Sequence, residues 1–236
     1  MKNIIKLGML AALASVSLKA STVTWTGSAS GTTPLTSLTV SGITATGWTY
    51  SGGTNTRWNS VWVTQNGDGV AVSDQDPVLG VNAPSTYEIE GAFREHIVFD
   101  FSSTATGTVA IDSLVLNFNN PSGPTPSSVH FSYAWISALP VDGTTPASPS
   151  LYSPTNLFST LSAADAPDTG NVRTYSNLSG AGRYLILAAT NSTYSTTNMF
   201  AVTSLTYTSV PDGASTLALM GAALATLGFT ARRRKA

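Results

Sequence analysis

Along the middle of the chain, apolar residues alternate with Ser and Thr at a period of two, the spacing of a strand with one face buried. Val23 and Trp25 flank Thr24, Leu38 and Val40 flank Thr39, and Trp48 and Tyr50 flank Thr49. Residues 96–101 set Ile97, Phe99 and Phe101 on one face and His96, Val98 and Asp100 on the other, which predicts a half-buried strand. Residues 128–136 repeat the pattern, with Val129, Phe131, Tyr133 and Trp135 sharing a face. Residues 184–189 are apolar at both parities, as in a central strand covered on both sides. Turn pairs separate these runs: Asn66-Gly67, Asp68-Gly69 and Asp142-Gly143. Only residues 157–166 read as helical, with Asn156 placed to cap them.

Many short strands with polar turns, and no helices alternating with them, predict an all-β chain folded as a single antiparallel β-sandwich or jelly roll. Eight of the twelve prolines lie between Pro121 and Pro167, so residues 121–128 and 140–154 read as Pro-rich surface loops within that domain. No internal repeat of fixed period is present.

The two ends differ from this middle. Lys2 and Lys6 precede an apolar stretch, Leu7 to Leu18, and Ala20 offers a small residue before a cut at Ser21. That is the layout of a secretory signal peptide over residues 1–20, too short and too weakly flanked for a membrane span. At the other end Val210-Pro211-Asp212-Gly213 precedes 18 uncharged residues, 214–231. As a helix they cover roughly 27 Å, close to the thickness of a bilayer's hydrocarbon core. Arg232, Arg233, Arg234 and Lys235 follow, a stop-transfer cluster that holds its end in the cytoplasm. By residue pattern alone this tail fits either an anchor that stays or a signal that is cut.

The tail resembles the PEP-CTERM class of sorting signals, in the variant whose signature begins Val-Pro-Asp. Val210 to Gly213 match its motif, 217–229 its apolar run, and Arg232 to Arg234 its basic end. Ala214 stands where that variant often carries another small residue. The match spans only the last 27 residues, but motif, span and basic end agree in order, spacing and terminal placement. The resemblance implies an exosortase substrate: a precursor exported through a signal peptide and held transiently in the inner membrane. A membrane-embedded transpeptidase then cuts it near the motif and passes it to the cell surface or extracellular matrix.

Charge is unevenly divided between the ends and the middle. Lys2, Lys6, Lys19 and the basic tail hold seven of the eleven cations, so residues 21–209 keep four arginines against eleven carboxylates, a formal charge of −7. This span has no lysine, which leaves no basic face for nucleic acid. The absence of cysteine excludes disulfides, thiol nucleophiles and thiolate metal sites.

Seven of those eleven carboxylates fall within the 33 residues from Asp68 to Asp100. The stretch resembles, more loosely than the tail does, a layout found in exported PEP-CTERM domains. Asp68, Asp74 and Asp76 are oxygen ligands of the kind Ca²⁺ takes, though their spacing is not that of an EF-hand loop. A solvated acidic loop fits the same residues. For catalysis, Glu95-His96 and Asp100 lack a nucleophile elbow, and Glu88, Glu90 and Glu95 lack a spacing that distinguishes a glycosidase pair. Both histidines, His96 and His130, fall on the polar parity of their strands. Of the five tryptophans most read as core; Trp58 and Trp62, beside Arg57 and Asn59, are the candidates for an exposed glycan contact.

These features predict a non-enzymatic structural or adhesive protein of the cell envelope or exopolysaccharide matrix. Its named partners are an exosortase-like transpeptidase and, beyond it, exopolysaccharide. The alternative is a carbohydrate-binding module or a glycan-acting hydrolase built on a sandwich.

Overall fold

A computed structural model of the chain describes residues 19–25, 35–51, 57–66, 69–73, 89–90, 95–104, 108–117, 130–141, 159–162, 172–189 and 199–210. These form thirteen strands in chain order. The first seven are β1 (Ala20–Thr24), β2 (Leu38–Val40), β3 (Ile43–Ser51), β4 (Arg57–Asn66), β5 (Gly69–Ser73), β6 (Ile89–Glu90) and β7 (Glu95–Asp100). The remaining six are β8 (Val109–Asn117), β9 (His130–Ile136), β10 (Ser159–Ser162), β11 (Val172–Gly182), β12 (Tyr184–Ala189) and β13 (Met199–Ser209). Every pairing among the described residues is antiparallel. The strands follow one path, β10-β9-β12-β7-β3-β4-β5-β13-β8-β11, with β2 beside β3 and both β1 and β6 beside β13. No helix occurs among the described residues.

The sheet doubles back on itself at β4. Residues Arg57 to Val61 pair with β3, whereas Trp62 to Asn66 pair with β5. Gly47 sits at this corner, where a Cβ would lie 3.0 Å from the carbonyl oxygens of both Val61 and Trp62. The missing side chain lets β4 change partners without being pushed off β3.

The two halves close over a common core. Trp25, Phe99, Phe101, Phe131, Phe200, Leu114, Leu116 and Leu185 are fully buried there. Trp25 lies against Phe99 at 5.0 Å between ring centroids, and Phe101 against Tyr207 at 5.5 Å. The far ends of the path meet at a seam between β9 and β11, which makes the sheet nearly a barrel. There the Ser179 backbone N–H donates to the Tyr133 hydroxyl at 2.9 Å, and Trp135 Nε1 donates to the Ser179 carbonyl at 3.2 Å.

Several sequence expectations hold in detail. Val23 and Trp25 point inward, Phe131 and Tyr133 join the core with Trp135 packed against it, and β12 is central and buried on both faces. Two others are corrected. The segment read as a helix over 157–166 contains β10, whose Ser159 to Ser162 pair with Tyr133 to His130. Pairing with β9 outweighs the weak helical spacing of a segment that short. The strand read as half-buried is buried on both sides: Glu95 to Phe99 are all shielded, and His96, read on the polar parity, is only 4% exposed. The reason is its place between β3 and β12. On its second face Val98 joins Trp48, Ala134, Tyr184 and Ile186 in a separate apolar cluster.

Gly69 opens β5 with φ +140, and a Cβ there would press on the Val202 carbonyl of β13. Gly69→Ala is therefore expected to cost about 2 kcal/mol or more, read as a lowered denaturant midpoint with an unchanged slope. A neutral result would mean that β13 does not approach β5 this closely.

Candidate processing site at the paired chain ends

The first and last strands of the described domain lie side by side. β1 pairs with β13 in the register Ala20↔Thr208, Ser21↔Tyr207, Thr22↔Thr206, Val23↔Leu205 and Thr24↔Ser204. The expected signal-peptide cut and the expected sorting motif therefore sit at one end of one strand pair. A cut before Ser21 removes a single exposed residue, Ala20, from β1.

β13 is held on its other side by β8, through Ser209↔Val109, Thr208↔Ala110 and Tyr207↔Ile111. The ladder extends one residue further: the Val210 N–H donates to the Thr108 carbonyl at 2.9 Å. Pro211 comes next and has no N–H to add to a ladder.

Side chains reinforce this end. The hydroxyls of Thr22 and Thr206 lie 2.9 Å apart across β1 and β13. The Thr208 hydroxyl donates to Asp112 Oδ2 at 2.6 Å, a short bond to a carboxylate. Asp112 owes its position to a bulge. Thr206 faces Ser113 and Tyr207 faces Ile111, which leaves Asp112 as the unmatched residue of β8.

Of the residues that sequence singled out, Val210 is placed as described. Pro211, Asp212, Gly213 and the basic Arg232 to Lys235 lie outside the described residues, as do Asp68, Asp74 and Asp76. No helix long and apolar enough to cross a membrane is found among the described residues, and residues 214–231 are not among them. No group of three or more metal-ligating His, Asp or Glu side chains occurs among the described residues either. Trp62 is half-buried on β4, and Trp58, also on β4, stands opposite Tyr50 of β3.

Of the residues weighed for catalysis, Glu88 lies outside the described residues, and the others lie on β6 and β7. Glu95 is 1% exposed, and as chain neighbours on β7 Glu95 and His96 face opposite sides of the sheet. Glu90 lies on a different strand, β6, opposite Met199. Asp100 is engaged locally: its Oδ1 accepts the Ser102 N–H at 2.7 Å and lies 3.9 Å from Arg183 Nε.

Asp112 was not among the residues that sequence singled out, although its signal was there. The apolar positions of β8 run Val109, Ile111 and then Leu114, Leu116, a parity break that marks the bulge. In comparisons with protein-family models, curated proteins and solved structures, nothing matches this chain.

Proposed function

We propose that this chain is the precursor of an exported structural or adhesive protein, delivered to the cell surface or exopolysaccharide matrix by its C-terminal signal. The observation that carries the reading is the tail itself: Val210-Pro211-Asp212-Gly213, an uncharged span and a terminal Arg/Lys cluster, in that order. Its position supports the same reading, because the motif begins where β13 ends and the signal peptide stops where β1 begins. The domain between them is an antiparallel sheet doubled over one core, and we read it as the sandwich of the sequence expectation. Its partner in processing is an exosortase-like transpeptidase of the inner membrane.

The exposed side of the paired ends agrees with a passive surface role. Thr22, Thr24, Ser204, Thr206, Ser113, Thr174 and Ser176 share the outer face of β1, β13, β8 and β11. Cross-strand hydroxyl pairs suit a neutral, hydrated face.

Fractionating cells that make the full chain and a variant ending at Val210 tests the delivery. The full chain is expected at the surface; the shortened one is expected in the soluble exported fraction. Equal distributions would overturn a sorting role for the tail. The structural role predicts no turnover in a screen of residues 21–209 against polysaccharides and chromogenic esters. Turnover that vanishes in Glu90→Gln or Glu95→Gln would replace it with a hydrolase.

The acidic loop has its own test. If Asp68, Asp74 and Asp76 hold Ca²⁺, a hundredfold excess over Kd stabilises the domain by about 2.7 kcal/mol, reversibly with chelator. A solvated loop leaves the melting temperature unchanged.

A further inference from the structure

The sorting motif follows the last strand with no spacer. Thr208 is paired with Ala110 of β8, and Val210 donates to Thr108; the β1 partner of Thr208, Ala20, leaves with the signal peptide when the cut falls before Ser21. Between Val210 and the first residue of the apolar span, Ala214, only Pro211, Asp212 and Gly213 intervene. Even fully extended, the four peptide steps from Val210 to Ala214 reach about 14 Å. While the tail is in the membrane, the folded domain is thus held close to it by the end that carries Ser21, Thr108 and Ser209.

A peptide-cutting enzyme binds extended backbone on both sides of the scissile bond, as an added strand. Here the residues just before the motif have their backbone groups committed to β8, and once Ala20 is gone β1 reaches only to Tyr207, through Ser21. Resting on the sorting reading above, we infer that the end of β13 is a gate on processing, with Thr208 and Asp112 as its latch. The motif becomes a substrate only when residues 208–210 peel away from their neighbours.

The two neighbours are unequal. β1 is paired only with β13 among the described residues, and Val23 is its one buried side chain. β8 lies between β13 and β11 and adds the short Thr208–Asp112 bond. The carboxylate that the bulge turns toward Thr208 therefore resists the peeling that processing requires. Asp112 and Thr208 act through the motif's accessibility, as positioning residues.

Pulse-labelling cells and following conversion of the membrane-held precursor to its shortened form tests the gate. Thr208→Val keeps the β-branched shape and removes the donor, and Asp112→Ala removes the acceptor. Each is expected to speed conversion about tenfold, the change in opening equilibrium that one hydrogen bond to a charged group supports. Four Gly/Ser residues inserted between Ser209 and Val210 are expected to speed conversion further and to abolish the difference between Thr208→Val and wild type.

A disulfide between Val109→Cys and Ser209→Cys, across a directly paired position in a chain without cysteine, is expected to slow conversion until reductant is added. If wild type is converted and neither the insertion nor the staple changes its rate, the gate is wrong while the sorting reading survives. If the wild-type precursor is never shortened, the sorting reading fails and the gate fails with it.

Discussion

Phe131→Ala is expected to cost the domain about 3–5 kcal/mol, a large share of the 5–15 kcal/mol typical of a whole domain. Phe131 is fully buried on β9, in one half of the doubled sheet. Its ring meets Tyr175 of β11 edge-on at 4.7 Å and Phe200 of β13 at 6.0 Å, both in the other half, as well as Tyr133 at 6.4 Å. Truncation removes the apolar contact between the halves and two edge-to-face pairs, and leaves a cavity that neighbouring strands cannot fill. Urea unfolding of residues 21–209 measures it, with Phe131→Leu expected to lose markedly less. A loss below about 1 kcal/mol for alanine would mean that the halves do not meet at this ring.

The seam is expected to be the second most sensitive place. Gly180 has φ +90, and a Cβ on it would lie 2.7 Å from Trp135 Cδ1; one on Gly182 would lie 2.7 Å from Trp135 Cε3. The indole is thus seated between two residues that lack side chains. Gly180→Ala combines left-handed strain with displacement of the indole and is expected to cost about 3 kcal/mol. In a Trp135→Ala background the clash is gone and only the strain remains, so the two losses are expected to be less than additive. Full additivity in the double-mutant cycle would place Trp135 away from the seam.

The sequence makes strands legible wherever one face alone is buried. Val23/Trp25 and Phe131/Tyr133 could be read because their alternating partners are hydroxyl-bearing and face outward. β7 was misread for the opposite reason. His96 is polar yet buried, because Val98 and its neighbours pack a second cluster on its face, while Glu95 is buried at the parity of Ile97 and Phe99. Burial on a second face is a property of the layers, and the period of one strand does not encode it. The segment around β10 failed similarly, since a four-residue edge strand is defined by its pairing with β9.

Bulges are the intermediate case. The parity breaks between Ile111 and Leu114, and between Val202 and Leu205, are visible in the sequence and match register shifts in the structure. That such a break would aim Asp112 at Thr208 requires knowing which strand lies alongside. The pairing of β1 with β13 is likewise out of reach of local pattern, because 174 residues separate the end of one strand from the start of the next. That pairing brings the expected signal-peptide cut beside the proposed sorting motif.

We propose that the tail is a signal removed during delivery. Mass spectrometry of the C-terminal peptide of the surface-released protein tests it most directly. The expected result is a terminus within Val210 to Gly213 and no peptide from residues 214–236 in that fraction. Intact peptides reaching Ala236 in the surface-released protein would contradict it.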